Sequence, residues 1–218
     1  MRRGLFLILL LTLGYTGFSQ VRWTAKAGGG PSWMAFPNVY MQDPTDTYNT
    51  LRISPAATGG TFYVGAELLI PMGEHWGFRS ELNFSYVSGE VNVDVLIVKL
   101  QSRKLQSYTR LNIPLLFSVK SSDNFWASFG PVFFFNLHDN KGFEDAFVDF
   151  GLDPTEYFDT DIPWGVQSRL AIDIKLNDHL FLELKFDYDI GKYFKYEDDI
   201  YKVRLASQGV TAGLTYLF

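Results

Sequence analysis

The chain has 218 residues, no cysteine, 17% aromatic residues and a formal charge of −5. The missing cysteine excludes a disulfide framework, a thiolate metal site or nucleophile, and lipid attachment through a cysteine. The mild acidity excludes nucleic acid as a partner, because that binding needs clustered Lys and Arg to displace counterions.

Residues 1–19 read as a cleavable export signal: Arg2 and Arg3 precede an apolar run from Leu5 to Leu13, and the small residues Gly17 and Ser19 lead to a cut before Gln20. That run falls short of the roughly 20 residues a spanning helix needs. Cleavage would leave 199 residues, a single all-β domain over 20–218, and lower the charge from −5 to −7.

Period-two alternation then recurs along the chain, with no helical 3.6 periodicity beside it. It is weak at 21–29 and at 61–70, where Phe62, Val64, Ala66, Leu68 and Ile70 oppose Glu67. At 78–86, Phe78, Leu82, Phe84 and Tyr86 oppose Arg79, Glu81, Asn83 and Ser85. Further strands are predicted at 107–119, with Arg110 and Asn112 on the polar face, and at 125–137. At 164–176, Trp164, Val166, Leu170, Ile172, Ile174 and Leu176 oppose Gln167, Arg169, Asp173 and Lys175. The clearest case is 180–190, where Leu180, Leu182, Leu184, Phe186, Tyr188 and Ile190 oppose Glu183, Lys185, Asp187 and Asp189. The last strand, 202–218, ends on Phe218 and resembles the terminal signal by which outer-membrane barrels are recognised for insertion.

The connections alternate in length. Pro71 to Trp76, Lys120 to Asn124 and Asn177 to His179 are tight turns; the stretches from Pro31, Gly89, His138 and Gly191 are long. Short turns at one end and long loops at the other define an all-β fold: an eight-stranded antiparallel transmembrane β-barrel, an up-and-down meander with periplasmic turns and extracellular loops.

A soluble lipocalin-like carrier would share the strand count and the export signal. Charges of both signs in mid-strand and broad aromatic positions favour apolar residues outside and a charged lumen. The lumen is expected to hold Glu67, Arg79, Glu81, Arg110, Arg169, Asp173, Glu183, Lys185 and Asp187 as a charge network, joined by Arg22, Lys26, Lys175 and Asp189. Eight strands leave room only for side chains, so a plugged barrel without an open pore is expected. Pro114 and Pro131 each remove a ladder donor and predict local bulges or sites near the ends of the lipid band. Lys202 and Arg204 share parity with the outward set, which places them above the bilayer or beside a bulge near Ser207.

No cofactor and no catalytic set is read. His75 and His179 fall in turns, and His138 beside Asp139 is the remaining candidate base for a membrane-embedded hydrolase. Ser128 lies ten residues away on the same strand, towards the opposite end of the barrel. The acidic outer loops, including Glu144, Asp145, Asp149, Glu197, Asp198 and Asp199, match no calcium loop. Trp23, Trp76, Tyr86, Trp126, Trp164, Tyr188 and Tyr216 are expected at the membrane interfaces. Trp33, Phe36, Tyr40 and Tyr48 are expected to pack within the first loop, and Gly28, Gly29 and Gly30 to form a bend at the rim.

Phe18-Ser19-Gln20, Gly65-Ala66-Glu67, Leu111 to Leu116, Gly130-Pro131 and Tyr216-Leu217-Phe218 together resemble the PorT-like outer-membrane β-barrel family common in Bacteroidetes. The resemblance implies fold and an outer-membrane location, with lipid and lipopolysaccharide around the barrel. Because the founding member is associated with type IX secretion and gliding, it also implies outer-membrane or secretion-machinery proteins as partners. It supplies no catalytic residue.

Overall fold

Alternating strands whose two faces differ so sharply must segregate those faces, and a closed ring does this while pairing every edge. The computed structural model describes residues 21–36, 38–42, 50–153, 158–159, 163–190, 194–197, 200–203 and 207–218. The segment expected to direct export, Tyr48, Asp198, Asp199, Arg204 and the side chains of Glu197 and Lys202 lie outside the described residues.

Eight strands form the ring: β1 (Arg22–Met34), β3 (Thr50–Pro71), β4 (Trp76–Val95), β5 (Leu100–Ser122), β6 (Phe125–Asp139), β8 (Trp164–Lys175), β9 (Leu180–Ile190) and β12 (Ser207–Leu217). Each pairs antiparallel with its neighbour, and β1 closes the ring by pairing with β3 on one side and β12 on the other. Phe62, Val64, Leu82, Phe84, Phe129, Phe133, Leu170, Leu184, Phe186, Val210 and Leu214 lie exposed on the outside, while Lys26, Glu67, Arg79, Glu81, Arg110, Arg169, Glu183 and Lys185 are buried inside. Apolar residues outside and ions inside rule out the soluble carrier, whose lumen would have to be the apolar face.

The turn end is as tight as expected, but the loop end differs. β3, β4 and β5 run for 22, 20 and 23 residues, well beyond the roughly 9–11 needed to cross a membrane. The stretch from Gly89, expected as a long loop, is therefore a hairpin continuing β4 and β5, joined by a turn at Leu96–Lys99. The short β2 (Val39–Gln42) adds to β3 above the point where β1 ends. A helix, α1 (Gly142–Val148), follows β6; beyond it, β7 (Phe158–Asp159) pairs with β11 (Ile200–Val203), which pairs with β10 (Phe194–Glu197).

This outer extension has an apolar core of its own. Met34, Phe36, Met41, Leu51, Ile53, Val91, Val93, Val95 and Tyr108 pack with Phe143, Ala146, Phe147 and Leu152. Met34 and Tyr108 continue the inward faces of β1 and β5, so this core sits over the outer mouth as a cap. Gly142 lets α1 approach β5, since a Cβ there would lie 2.1 Å from the Leu105 carbonyl oxygen. Phe36 packs in this core as expected, whereas Tyr40 is exposed. Trp33 lies within β1 and donates its indole N–H to Gln208 Oε1 at 3.1 Å.

Three local expectations need correction. Neither proline makes a bulge: the β5–β6 register is the same on both sides of Pro114 and Pro131, and its shifts fall at Thr109/Arg110 and Lys120/Ser122. The ladder skips the pairs around Leu115 and Pro131, and those around Glu81 and Pro114, without an added residue, so the missing donors open it only locally. Trp126 shares the inward parity of Ser128 and lines the turn-side mouth instead of facing lipid at a membrane interface.

Gly28 to Gly30 are not a rim bend but part of β1, at the seam that closes the barrel. Gly28 pairs with Gly213, and together they admit the Tyr63 ring. A Cβ on Gly213 would lie 2.1 Å from the Tyr63 hydroxyl and 2.6 Å from the Ala27 carbonyl oxygen. Gly213→Val is expected to lower stability by about 1–3 kcal/mol through overpacking. Gly60→Ala, whose Cβ would meet nothing nearer than 4.0 Å, is expected to stay within about 0.5 kcal/mol. Urea unfolding in lipid vesicles compares the two.

Candidate functional site: a charged plug and an outer cap

Inward-facing positions of neighbouring strands bring the ionic side chains to one level. Lys26 projects from β1, and its ammonium donates to Glu67 Oε2 at 2.6 Å, Glu81 Oε1 at 2.9 Å and Glu183 Oε1 at 2.7 Å. Oxygens of these three carboxylates lie within 4.8 Å of one another, a geometry suited to a metal ion, and the lysine ammonium occupies its centre. Among the described residues no other group of acids comes together in this way.

Arginines tie this core to the walls. Arg79 pairs with Glu67 and Asp173 and donates to Ser128 Oγ at 2.9 Å. Arg169 reaches Glu81 Oε2 at 2.8 Å and grips Asp187 through two hydrogen bonds of 2.6 and 3.0 Å. Lys185 lies 3.2 Å from Glu183 Oε2 and 3.0 Å from the centroid of the Tyr63 ring, while the Tyr63 hydroxyl donates to the same Glu183 oxygen at 2.7 Å. Four cations and five carboxylates thus interlock across the lumen, with Asn83 donating to Glu81 Oε2 at 2.6 Å. Burial of this many ions is tolerable because they neutralise one another at close range and Lys26, Arg79 and Arg169 each make several charge-assisted hydrogen bonds.

Arg110 stands apart from this cluster, in a second layer nearer the outer mouth. It donates to Asn136 Oδ1 at 2.9 Å and Ser207 Oγ at 2.6 Å, and lies over the Tyr108 and Phe134 rings. Asp189 is buried in the described structure, whereas Lys175 pairs with Asp178 at 2.7 Å in the turn and Arg22 lines the inner mouth. Tyr63 is not among the expected lumenal residues, although its parity with Glu67 points it inward; Asn83 shares the polar face with Glu81, and Ser128 enters the network through Arg79.

Little space remains. A cavity of about 40 Å³ lies on the turn side, lined by Thr24, Glu67, Arg79, Asp173 and Thr215. A second, of about 30 Å³, lies on the loop side between Tyr63, Arg110, Asn112, Arg169 and Thr211. Each has room for a few waters. An open vestibule of about 320 Å³ occupies the turn-side mouth, with Glu74, Lys120 and Asp178 among its lining residues.

His138 and Ser128 do not come together. His138 is exposed at the outer end of β6, while Ser128 is buried in the lumen between Ser118 and Arg79. His75 is an exposed turn residue, and His179 stacks on Tyr216. Three of the described loop acids have protein partners. Asp139 accepts from the Lys141 backbone N–H at 2.7 Å, and Glu144 pairs with Lys141 at 3.2 Å. The Ser102 hydroxyl and the Lys104 ammonium hold the Asp149 carboxyl below the usual carboxylate range.

A closed eight-stranded ring, apolar outside and ionic within, is the build of an outer-membrane β-barrel protein. That is the class of this chain, and its location is the outer membrane. No protein-family model matches the sequence, and no curated protein matches it. Solved structures share the fold. The outer membrane protein OprG from Pseudomonas aeruginosa matches over 89% of this chain and 95% of its own, with a TM-score of 0.50 and 12% identity. The attachment invasion locus protein Ail of Yersinia pestis matches over 91% of this chain and 99% of its own, with a TM-score of 0.43 and 8% identity. The NanC porin matches over 88% and 98%, with a TM-score of 0.31 and 8% identity.

Proposed function

We propose that the chain is a non-conducting, non-enzymatic membrane anchor that displays a folded cap at the outer surface for adhesion, binding or assembly. One observation carries this: the lumen is filled across its width by interlocked ions, and its outer mouth is covered by the apolar core around α1. Lipid and lipopolysaccharide are the partners of the outward apolar belt. Assembly with secretion-machinery proteins is the finer form of this reading, and its support is the sequence resemblance to PorT-like barrels. The separation of His138 from Ser128 supports a non-catalytic role.

Planar-bilayer recording of the purified protein tests the plug. The expected result is silence, with no stable unitary conductance in either polarity. Reproducible steps from the folded protein would overturn the proposal and make the lumen a permeation path.

A further inference from the structure

The tip of the β4–β5 hairpin presents aliphatic side chains to open solvent. Leu96 is 38% exposed, Ile97 61%, Val98 54% and Leu100 55%, all within five consecutive residues. Such a run on a surface marks a contact site. The hairpin beneath it is braced: Val91, Val93 and Val95 are buried in the cap core, and the Leu96 N–H donates to the Thr50 carbonyl at 3.0 Å. The tip is therefore held out on a packed support.

Charge and shape select the occupant. Glu90 pairs with Arg103, and Asp94 with Arg52, so the acids of the hairpin are already matched. Lys99 is exposed at the tip, with no ion pair among the described residues. A convex end made of Leu, Ile, Val and Leu contains none of the Trp, Tyr or Arg that dominate protein hot spots. It suits acyl chains, with one lysine positioned to reach anionic headgroups while its stem lies along the apolar tip. β4 ends at Val95, nine residues past Tyr86 and about 30 Å along the strand at ~3.3 Å per residue, and the tip lies beyond it. That length carries it away from the barrel's own bilayer.

We propose that Leu96, Ile97, Val98 and Leu100 insert into a lipid surface facing the outer end of the barrel, with Lys99 favouring anionic lipid. The proposal rests on the outward-display reading and names a partner for it. A conducting barrel would sink that reading while leaving the lipid test readable, and a silent barrel that ignores vesicles would sink only this proposal.

The test is flotation of the full protein, embedded in nanodiscs, with separate vesicles of phosphatidylcholine alone or mixed with phosphatidylglycerol. Wild type is expected to float with both, and more with the anionic mixture. Ile97→Asp combined with Val98→Asp is expected to reduce flotation about tenfold or more. Lys99→Gln is expected to remove only the anionic preference. An environment-sensitive label on Ile97→Cys is expected to shift to the blue when vesicles are added, which gives a readout independent of the aspartate variant's folding. Failure of wild type to float, equal flotation of the aspartate variant, or an unshifted label would each overturn the proposal. A protein partner would give that negative outcome.

Discussion

Lys26→Met is expected to destabilise the barrel by about 3–5 kcal/mol, the range found when one member of a buried ion cluster is removed. Methionine occupies a similar volume, so the loss is electrostatic rather than a cavity. Glu67, Glu81 and Glu183 would remain within 4.8 Å of one another without the ammonium that separates them. Arg79 and Arg169 contact this trio but are already committed to Asp173 and Asp187. The urea midpoint of the vesicle-embedded protein reads the effect. Adding Glu67→Gln to Lys26→Met is expected to restore part of the loss, because it removes one of the crowded charges and supplies amide donors in the same place. Equal stability of the single variant and wild type would show that the network contributes little.

Phe147→Ala is expected to cost a similar amount, about 3–5 kcal/mol, but from the cap rather than the barrel. Phe147 is buried against Phe143, with ring centroids 5.2 Å apart, and both pack on the inner face of the β4–β5 hairpin. α1 has only seven residues, so little besides this packing holds it helical. The expected outcome is protease cleavage near residues 140–153 in isolated outer membranes, with the heat-dependent gel shift of the barrel unchanged. Loss of the shift as well would mean that cap and barrel unfold together.

The contrast between these variants follows the division of the chain into what its sequence makes legible and what it does not. β9 declares itself because its greasy and charged residues alternate without a break from Leu182 to Ile190, and a one-residue slip would turn every ion towards lipid. The β4–β5 extension is harder to see. Val91, Val93 and Val95 alternate with Asn92 and Asp94, but Gly89, Asn92 and Asp94 also carry loop chemistry, and the turn at Leu96–Lys99 has neither Gly nor Pro to mark it. α1 spans about two turns, too few for a helical period, and Phe143 with Phe147 at i,i+4 is its one signal. Trp126 shows the limit of assigning a face by residue type, since its parity with Ser128 turns it inward.

The charged interior was legible as a set of residues but not as a geometry. Parity predicts which side chains share the lumen; it does not say which meet, because that depends on how far each strand is staggered against the next. The central place of Lys26 and the separate layer of Arg110 both come from that stagger.

The most direct test of a closed barrel with lipid outside and ions inside is a spin-label scan of β12. The chain has no cysteine, so single cysteines can be placed one at a time from Gly209 to Tyr216, leaving Gly213 in place, in protein reconstituted into bilayers. Labels at Val210, Ala212, Leu214 and Tyr216 are expected to relax strongly with oxygen dissolved in the acyl chains, while those at Thr211 and Thr215 remain shielded. The opposite phase, or no oxygen contact at any position, would contradict the account.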